Sequence, residues 1–198
     1  PKRQPLMNQP DPSYNGAIWG RDVPKLTGAN VAFAIRARVV LLRDLGAALS
    51  PFNAFQIIQG LETVAIRMKQ HCANAEKVVK FLETQKKVKN IIYPTNHQGE
   101  IRERAKRYLS GGYGALVGID LGTKEAGAKF IDSLKLLYHV ANIGDARSLA
   151  IHPATTTHSQ LDDKQLAEAG VTPGYVRLSI GIEHPDDIIA DIKQALAA

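Results

Sequence analysis

Apolar residues recur at helical spacing along much of this chain. From Asn30 to Leu45 the positions Ala34, Ile35, Val39, Leu42 and Leu45 fall together, with Arg36, Arg43 and Asp44 on other faces, which predicts an amphipathic helix. A longer helix is predicted to begin at SPFNAF, where Ser50 is a suitable N-cap and Pro51 takes the first helical position, at which its missing N–H costs nothing. Its buried stripe is expected to run through Phe55, Ile58, Leu61, Ala65, Met68, Cys72, Ala75, Val79 and Leu82, about eight turns of 3.6 residues. Residues 1 to 28, rich in Pro, Gly and Asn, predict an irregular, extended arm.

Beyond the long helix, strands and helices alternate without internal repeats. VKNIIYP (88 to 94) reads as a strand closed by Pro94, and a helix follows from about Gln98 to Tyr108. SGGYGALVGIDLG leads into a strand at Leu116 to Leu121. That glycine cluster is no dinucleotide fingerprint, which must follow a strand and open a helix. Thr123 caps a helix to about Leu136, LYHVANI is a short strand, and Asp162 caps a helix that stops at Gly170. YVRLSIGIE is the last strand. The last helix carries Pro185, Asp186 and Asp187 in its first turn, with Ile188, Ile189, Ile192 and Leu196 facing inward. The fold class expected is α/β, with helices packed on a small mixed or antiparallel sheet.

Composition changes this picture little. The chain has 198 residues, 44% of them hydrophobic and 22% charged, enough for one large domain or two small ones. Its 25 basic against 19 acidic residues give a formal charge of +6, which raises nucleic acid as a partner. The densest clusters are Lys86, Lys87, Lys89 and Arg102, Arg104, Lys106, Arg107. The second contains Glu103 at helical spacing, and aromatics for base stacking do not interleave. A solvated face is expected, and no nucleic-acid partner. No apolar run approaches the roughly 20 residues of a membrane span, so no membrane partner is expected either. The first fifteen residues, PKRQPLMNQPDPSYN, do not read as a signal peptide. The single cysteine, Cys72, lies on the buried stripe and reads as core packing. A cytoplasmic protein is the expectation.

Two regions hold candidate chemistry. In the last strand Val176, Leu178, Ile180 and Ile182 point one way, and Arg177, Ser179, Gly181 and Glu183 the other. Arg177, with small Ser and Gly neighbours on its face, either grips a planar carboxylate through two parallel N–H bonds or covers the sheet. The stretch NIGDARSLAIHPATTTHSQL, 142 to 161, is dense in polar groups. His152 and His158 have five residues between them, a spacing that suits neither one helical face nor a zinc-finger pair. Ser148 lies outside any G-x-S-x-G turn. The hydroxyls read as loop braces, with one or two free to face a ligand.

Four ordered segments, RARVVLLRDLGAALSPFNAFQIIQGLETVAIRMKQHCANA, SGGYGALVGIDL, ANIGDARSLAIHPATTTHSQL and GVTPGYVRLSIGIEHPDDIIADIKQAL, resemble the pyridoxal phosphate enzymes of cysteine and methionine metabolism. That family includes the cystathionine γ-synthases and γ-lyases and methionine γ-lyase. LRDLGAALSPFNAF and SLAIHPATTTHSQL look most like members that replace the acetyl group of O-acetylhomoserine with sulfide, although those usually read Ala-Ser-Thr-Thr-His where this chain has Ala154 to His158. The resemblance implies the C-terminal small domain of a fold-type I pyridoxal phosphate enzyme, similar to aspartate aminotransferase. Residues 1–68 would be the tail of the large cofactor-binding domain and a linking helix, and 69–198 the small domain. It places the Schiff-base lysine and the cofactor-holding residues upstream of Pro1, so no catalytic or cofactor-binding residue is expected here, and pyridoxal phosphate belongs to the full-length enzyme rather than to this portion alone. The Thr123-Lys124 pair is not accepted as a substitute. The residues implied to bind the amino-acid substrate are Arg177, on the α-carboxylate, Ser148 in the same pocket, and Arg147 toward the substrate side chain. The full-length family members are homotetramers. A non-catalytic amino-acid-binding module and a basic nucleic-acid-binding module stand as the alternatives.

Overall fold

The period-two pattern of the last strand is realised at the middle of a sheet: Val176 and Leu178 are fully buried, while Tyr175 and Arg177 are half-buried. The computed structural model describes residues 4 to 198. Its strands are β1 (Asn90–Ile92), β2 (Leu116–Asp120), β3 (Tyr138–His139), β4 (Leu149–Ile151) and β5 (Tyr175–Ser179), in the order β1-β2-β5-β4-β3. Neighbours run antiparallel except β3 and β4, which are parallel, so the sheet is mixed. The helices are α1 (Pro5–Asn8), α2 (Trp19–Thr27), α3 (Ala32–Arg36), α4 (Pro51–Glu62), α5 (Val64–Leu82), α6 (Gly99–Tyr108), α7 (Lys124–Ser133), α8 (Asp163–Glu168) and α9 (Pro185–Ala197). The chain divides into two units between Gln59 and Gly60.

In the unit from Gly60, α5, α7 and α9 cover one face of the sheet. Ala75, Val78, Val79 and Leu82 meet Phe130, Ile131, Ile188 and Ile192 over Val117, Ile119, Ala150, Val176 and Leu178. The predicted caps are formed. Thr123 accepts the N–H of Ala126, and Asp162 makes a capping box with Gln165. Gly170 adopts φ +73°, so that the N–H groups of Gly170 and Val171 close back on Ala167 and Leu166, a Schellman ending. One buried charge was not foreseen. The Asp191 carboxylate on α9 accepts the backbone N–H groups of Lys135, Leu136 and Leu137 and the amide of Gln194, which pins the chain between α7 and β3.

The long predicted helix is two helices. Ser50 caps α4 through the N–H of Asn53. The helix breaks at Thr63, with φ −108° and ψ 0°, where Gly60 and a β-branched residue lower helix propensity together. Arg67 crosses the break, donating to the Gly60 carbonyl at 2.8 Å and the Thr63 hydroxyl at 3.3 Å. The stripe changes with it: Cys72, Ala75, Val79 and Leu82 are buried, but Phe55, Ile58 and Leu61 are more than half exposed.

The unit ending at Gln59 corrects the expected extended arm. Pro5 stands at the start of α1, and Pro12 at the start of a 3-10 turn, Pro12–Tyr14, positions where a missing N–H is harmless. Trp19 and Val23, one turn apart on α2, bury against Ala32. The Trp19 indole donates to Asp11, and Asp22 accepts the N–H of Ile18. The predicted helix from Asn30 is found as α3, widening into π-helical hydrogen bonding over Ala37–Asp44. Ile35 and Val39 pack on the Trp19 cluster, while Leu42 and Leu45 remain exposed. Among the described residues no helix is long and apolar enough to cross a membrane.

Candidate functional site

Arg177 rises from the sheet face opposite the helices, flanked in register by Gly118 on β2 and Ile151 on β4. Gly118 leaves the room that its neighbours need, since a Cβ there would sit 2.6 Å from the ring of Tyr175. Burial pushes the Tyr175 phenol upward, against the opposing charge of Arg177. The loop after β3 arches over this face. Arg177 Nη2 donates to the carbonyls of Ala141 and, at 3.5 Å, Asn142, and the Gly144 N–H donates to Ser179 Oγ at 3.1 Å. Residues 141 to 145 and Arg177 thereby line an open basin.

Charge in the basin is unbalanced in one direction. Among the described residues Arg177 pairs with no carboxylate, and its buried Nε has no hydrogen-bond partner. A buried guanidinium nitrogen in that condition is costly until an acceptor arrives. Asp145 also lines the basin, but it turns toward Arg147, accepting its backbone N–H at 3.0 Å and lying 3.6 Å from its Nε. The Arg147 backbone N–H is the main reason the Asp145 carboxyl is held below the usual range. The arrangement is suited to a planar anion that meets the Arg177 guanidinium in the basin.

Ser148 and Arg147 occupy different places from Arg177. Ser148 is fully buried, and both its N–H and its hydroxyl donate to the Glu183 carboxylate, at 2.6 and 2.9 Å. Its oxygen accepts the Gly181 N–H at 2.8 Å, so the hydroxyl is committed to the protein. Gly181 is required at this contact, because a Cβ would lie 2.5 Å from the Ala146 carbonyl and from the Ser148 nitrogen. Arg147 is exposed and stacks its guanidinium over the Tyr138 ring at 4.9 Å. Neither side chain lines the Arg177 basin.

The polar stretch resolves mainly into braces. The ring of His152 is fully buried, with Nε2 2.7 Å from the Pro173 carbonyl and Nδ1 3.0 Å from the Thr155 hydroxyl. A carbonyl only accepts, so Nε2 carries the proton. Thr156 donates to the His152 carbonyl, and Thr157 pairs with His158. Leu149–Ile151, inside the same stretch, form β4, a strand hidden by its polar flanks. Two site-supporting residues were also missed. His71 Nδ1 lies 2.6 Å from the Ile180 carbonyl, and Asn74 donates to the carbonyls of Gly181 and Glu183 at 3.0 and 2.8 Å. Both are buried polar residues on α5, beside the Cys72 and Ala75 stripe. They clasp the turn that carries Glu183, which holds Ser148.

This fold and site define a class. The chain belongs to the Cys/Met metabolism PLP-dependent enzyme family, whose model matches residues 18–197. It is 50% identical over 196 residues to O-acetyl-L-homoserine sulfhydrylase of Leptospira meyeri, covering 96% of this chain and 44% of that protein. Homocysteine synthase of Schizosaccharomyces pombe is 42% identical, covering 98% of this chain and 44% of that protein. A crystal structure from Campylobacter jejuni, described as an O-acetylhomoserine (thiol)-lyase and containing N'-pyridoxyl-lysine-5'-monophosphate, matches at a TM-score of 0.83 with 41% identity, over 100% of this chain and 46% of that one. The chain thus spans a little under half the length of the curated relatives it matches, and its fold is that of part of a pyridoxal phosphate enzyme. Among the described residues no lysine lines the Arg177 basin.

Proposed function

We propose that this chain is the carboxyl-terminal portion of a pyridoxal phosphate-dependent sulfhydrylase that makes homocysteine from O-acetylhomoserine and sulfide, and that it supplies the substrate carboxylate site. The observation that carries the reading is Arg177, which lines an open basin, pairs with no carboxylate among the described residues and has a buried Nε without an acceptor. The amino acid's α-carboxylate supplies that acceptor and the opposite charge. The cofactor, bound by residues elsewhere in the full-length enzyme, supplies the electron sink. Arg177 supplies orientation, and fixing the carboxylate selects which bond at Cα is presented for reaction.

Ser148 serves this pocket through its wall. With its hydroxyl given to Glu183 and Gly181, it fixes the start of β4 and hence the loop from Gly144 to Arg147. Arg147, exposed and beside the Asp145 that lines the basin, is assigned to the substrate side chain. Residues 1–68 are assigned to the tail of the cofactor domain and the linking helix, and 69–198 to the small domain, in an enzyme that assembles as a homotetramer. The similarity to relatives named for this activity and the exposed apolar face of α4 support that assignment.

The test is kinetic and uses the full-length enzyme. Arg177→Ala is expected to raise KM for the amino acid by about 100-fold, the scale of a lost charge-assisted bidentate contact, while the cofactor's absorbance is retained. Arg177→Lys, which keeps charge but loses the planar fork, is expected to fall between. A wild-type KM in Arg177→Ala removes the carboxylate role.

A further inference from the structure

The basic cluster Lys86, Lys87 and Lys89 has no part in the Arg177 site, and the structure gives it a different setting. Lys86 and Lys87 lie in the turn beyond α5. Lys89 is fixed beside the end of β2 by its N–H bond to the Asp120 carbonyl at 2.8 Å. Lys129 reaches the same place from α7, and the four side chains border a groove of about 310 Å³. Its floor is apolar, formed by Leu121 just after β2, Phe130 on α7 and Leu196 on α9.

Two features of this groove point to the chemistry of an occupant. No carboxylate side chain lines it, and none of the four lysines forms an ion pair among the described residues. Four like charges bordering one groove repel one another, and an anion held between them relieves that repulsion. The lysine stems are aliphatic and extend the apolar floor upward, so an anion with a carbon body gains more than a bare ion. Concave volume, a mainly apolar lining and a few polar heads are the general marks of a small-molecule site.

We propose that this groove binds a small organic anion, with a ring or short aliphatic body against Leu121, Phe130 and Leu196 and its carboxylate, sulfonate or phosphate among Lys86, Lys87, Lys89 and Lys129. The site is separate from the Arg177 basin and shares no lining residue with it.

The probe is 2-naphthoate, followed through the methyl resonances of Leu121, Ala126, Ala195 and Leu196. Saturable shifts confined to these methyls are expected, with a Kd below about 1 mM. The neutral analogue 2-naphthalenemethanol is expected to bind about tenfold more weakly, and the triple variant Lys86→Gln/Lys87→Gln/Lys89→Gln to lose about tenfold for naphthoate, with the difference shrinking as salt rises. The substituted side chains are exposed, so the variant's amide spectrum is expected to remain that of a folded protein. Absence of shifts at these methyls overturns the proposal, as does equal binding of the neutral analogue or an undiminished affinity in the triple variant. Retention on anionic phospholipid vesicles without a response to free naphthoate also overturns it, in favour of a membrane surface.

Discussion

The two units of this chain use the same helical periodicity and reach opposite results. In the unit from Gly60, stripes on α5, α7 and α9 close over a five-stranded sheet, and Val78, Val117, Val176, Leu178, Ile188 and Ile192 lose all contact with solvent. In the unit ending at Gln59 the buried core is Trp19, Val23 and Ala32, while Leu26, Phe33, Leu45, Phe52 and Phe55 are each more than half exposed. An apolar stripe states which side of a helix avoids water. It does not state what covers that side. In one unit the covering surface is a sheet folded from the same segment. In the other, several large apolar side chains stay in contact with water, the mark of a surface that another surface covers, which accords with the proposal that more of the enzyme belongs against it.

Core truncation separates the two regions most sharply. Leu178→Ala empties a fully buried position at the centre of the sheet and is expected to cost about 2–5 kcal/mol. Ile58→Ser, on the exposed face of α4, is expected to change unfolding of the sheet-containing unit by less than about 0.5 kcal/mol and to reduce self-association of the protein. Urea denaturation followed by circular dichroism, with light scattering beside it, measures both. A large loss of stability from Ile58→Ser would erase the contrast, because it would show that the α4 face is already covered.

The same contrast recurs within the site, on a smaller scale. Ser148→Ala strands the buried Gly181 N–H and removes one of the two bonds that Ser148 gives to Glu183, a loss expected to be about 1–3 kcal/mol. Arg147→Ala, one residue away, gives up an exposed stacking contact with Tyr138 and is expected to cost no more than about 1 kcal/mol. Melting temperatures of the two variants decide the order. If Arg147→Ala proves the more damaging, the picture of Ser148 as the clasp and Arg147 as the rim is inverted.

What the sequence disclosed follows this division. Helix starts and stops at Ser50, Thr123, Asp162 and Gly170 were legible because capping chemistry is local, and β5 was legible because one side chain in two is buried. Arg177 stood out for the same reason, as a charge on an alternating strand. The break at Thr63 and the helices before Thr27 were not legible, since they depend on what the surrounding chain packs against. Strand β4 is only three residues long and lies in polar flanks, so its period had no room to show. The clasp of His71, Asn74 and Glu183 on Ser148 is a long-range feature. Asn74 and Glu183 are 109 positions apart, and only folding brings them together.

The smallest effect expected is confined to the less buried unit and can be read there alone, because Trp19 is the single tryptophan of the chain and lies in the helix that Asp22 helps to start. The Arg21 guanidinium first, and then the Ile18 N–H, hold the Asp22 carboxyl at about 2, below its ordinary 3.8. A carboxyl lowered on folding stabilises the folded state fully above its unfolded value, and the contribution disappears as the pH falls through the folded one. Trp19 fluorescence during acid titration is therefore expected to show α2 loosening between about pH 4 and pH 2, with Asp22→Asn abolishing that part of the titration and leaving the sheet-containing unit unchanged. The carboxylate is exposed, so added salt is expected to shrink the effect. A titration that moves the sheet and α2 together, with or without Asp22, would mean that the two units unfold as one body and that the difference in their burial has no energetic boundary.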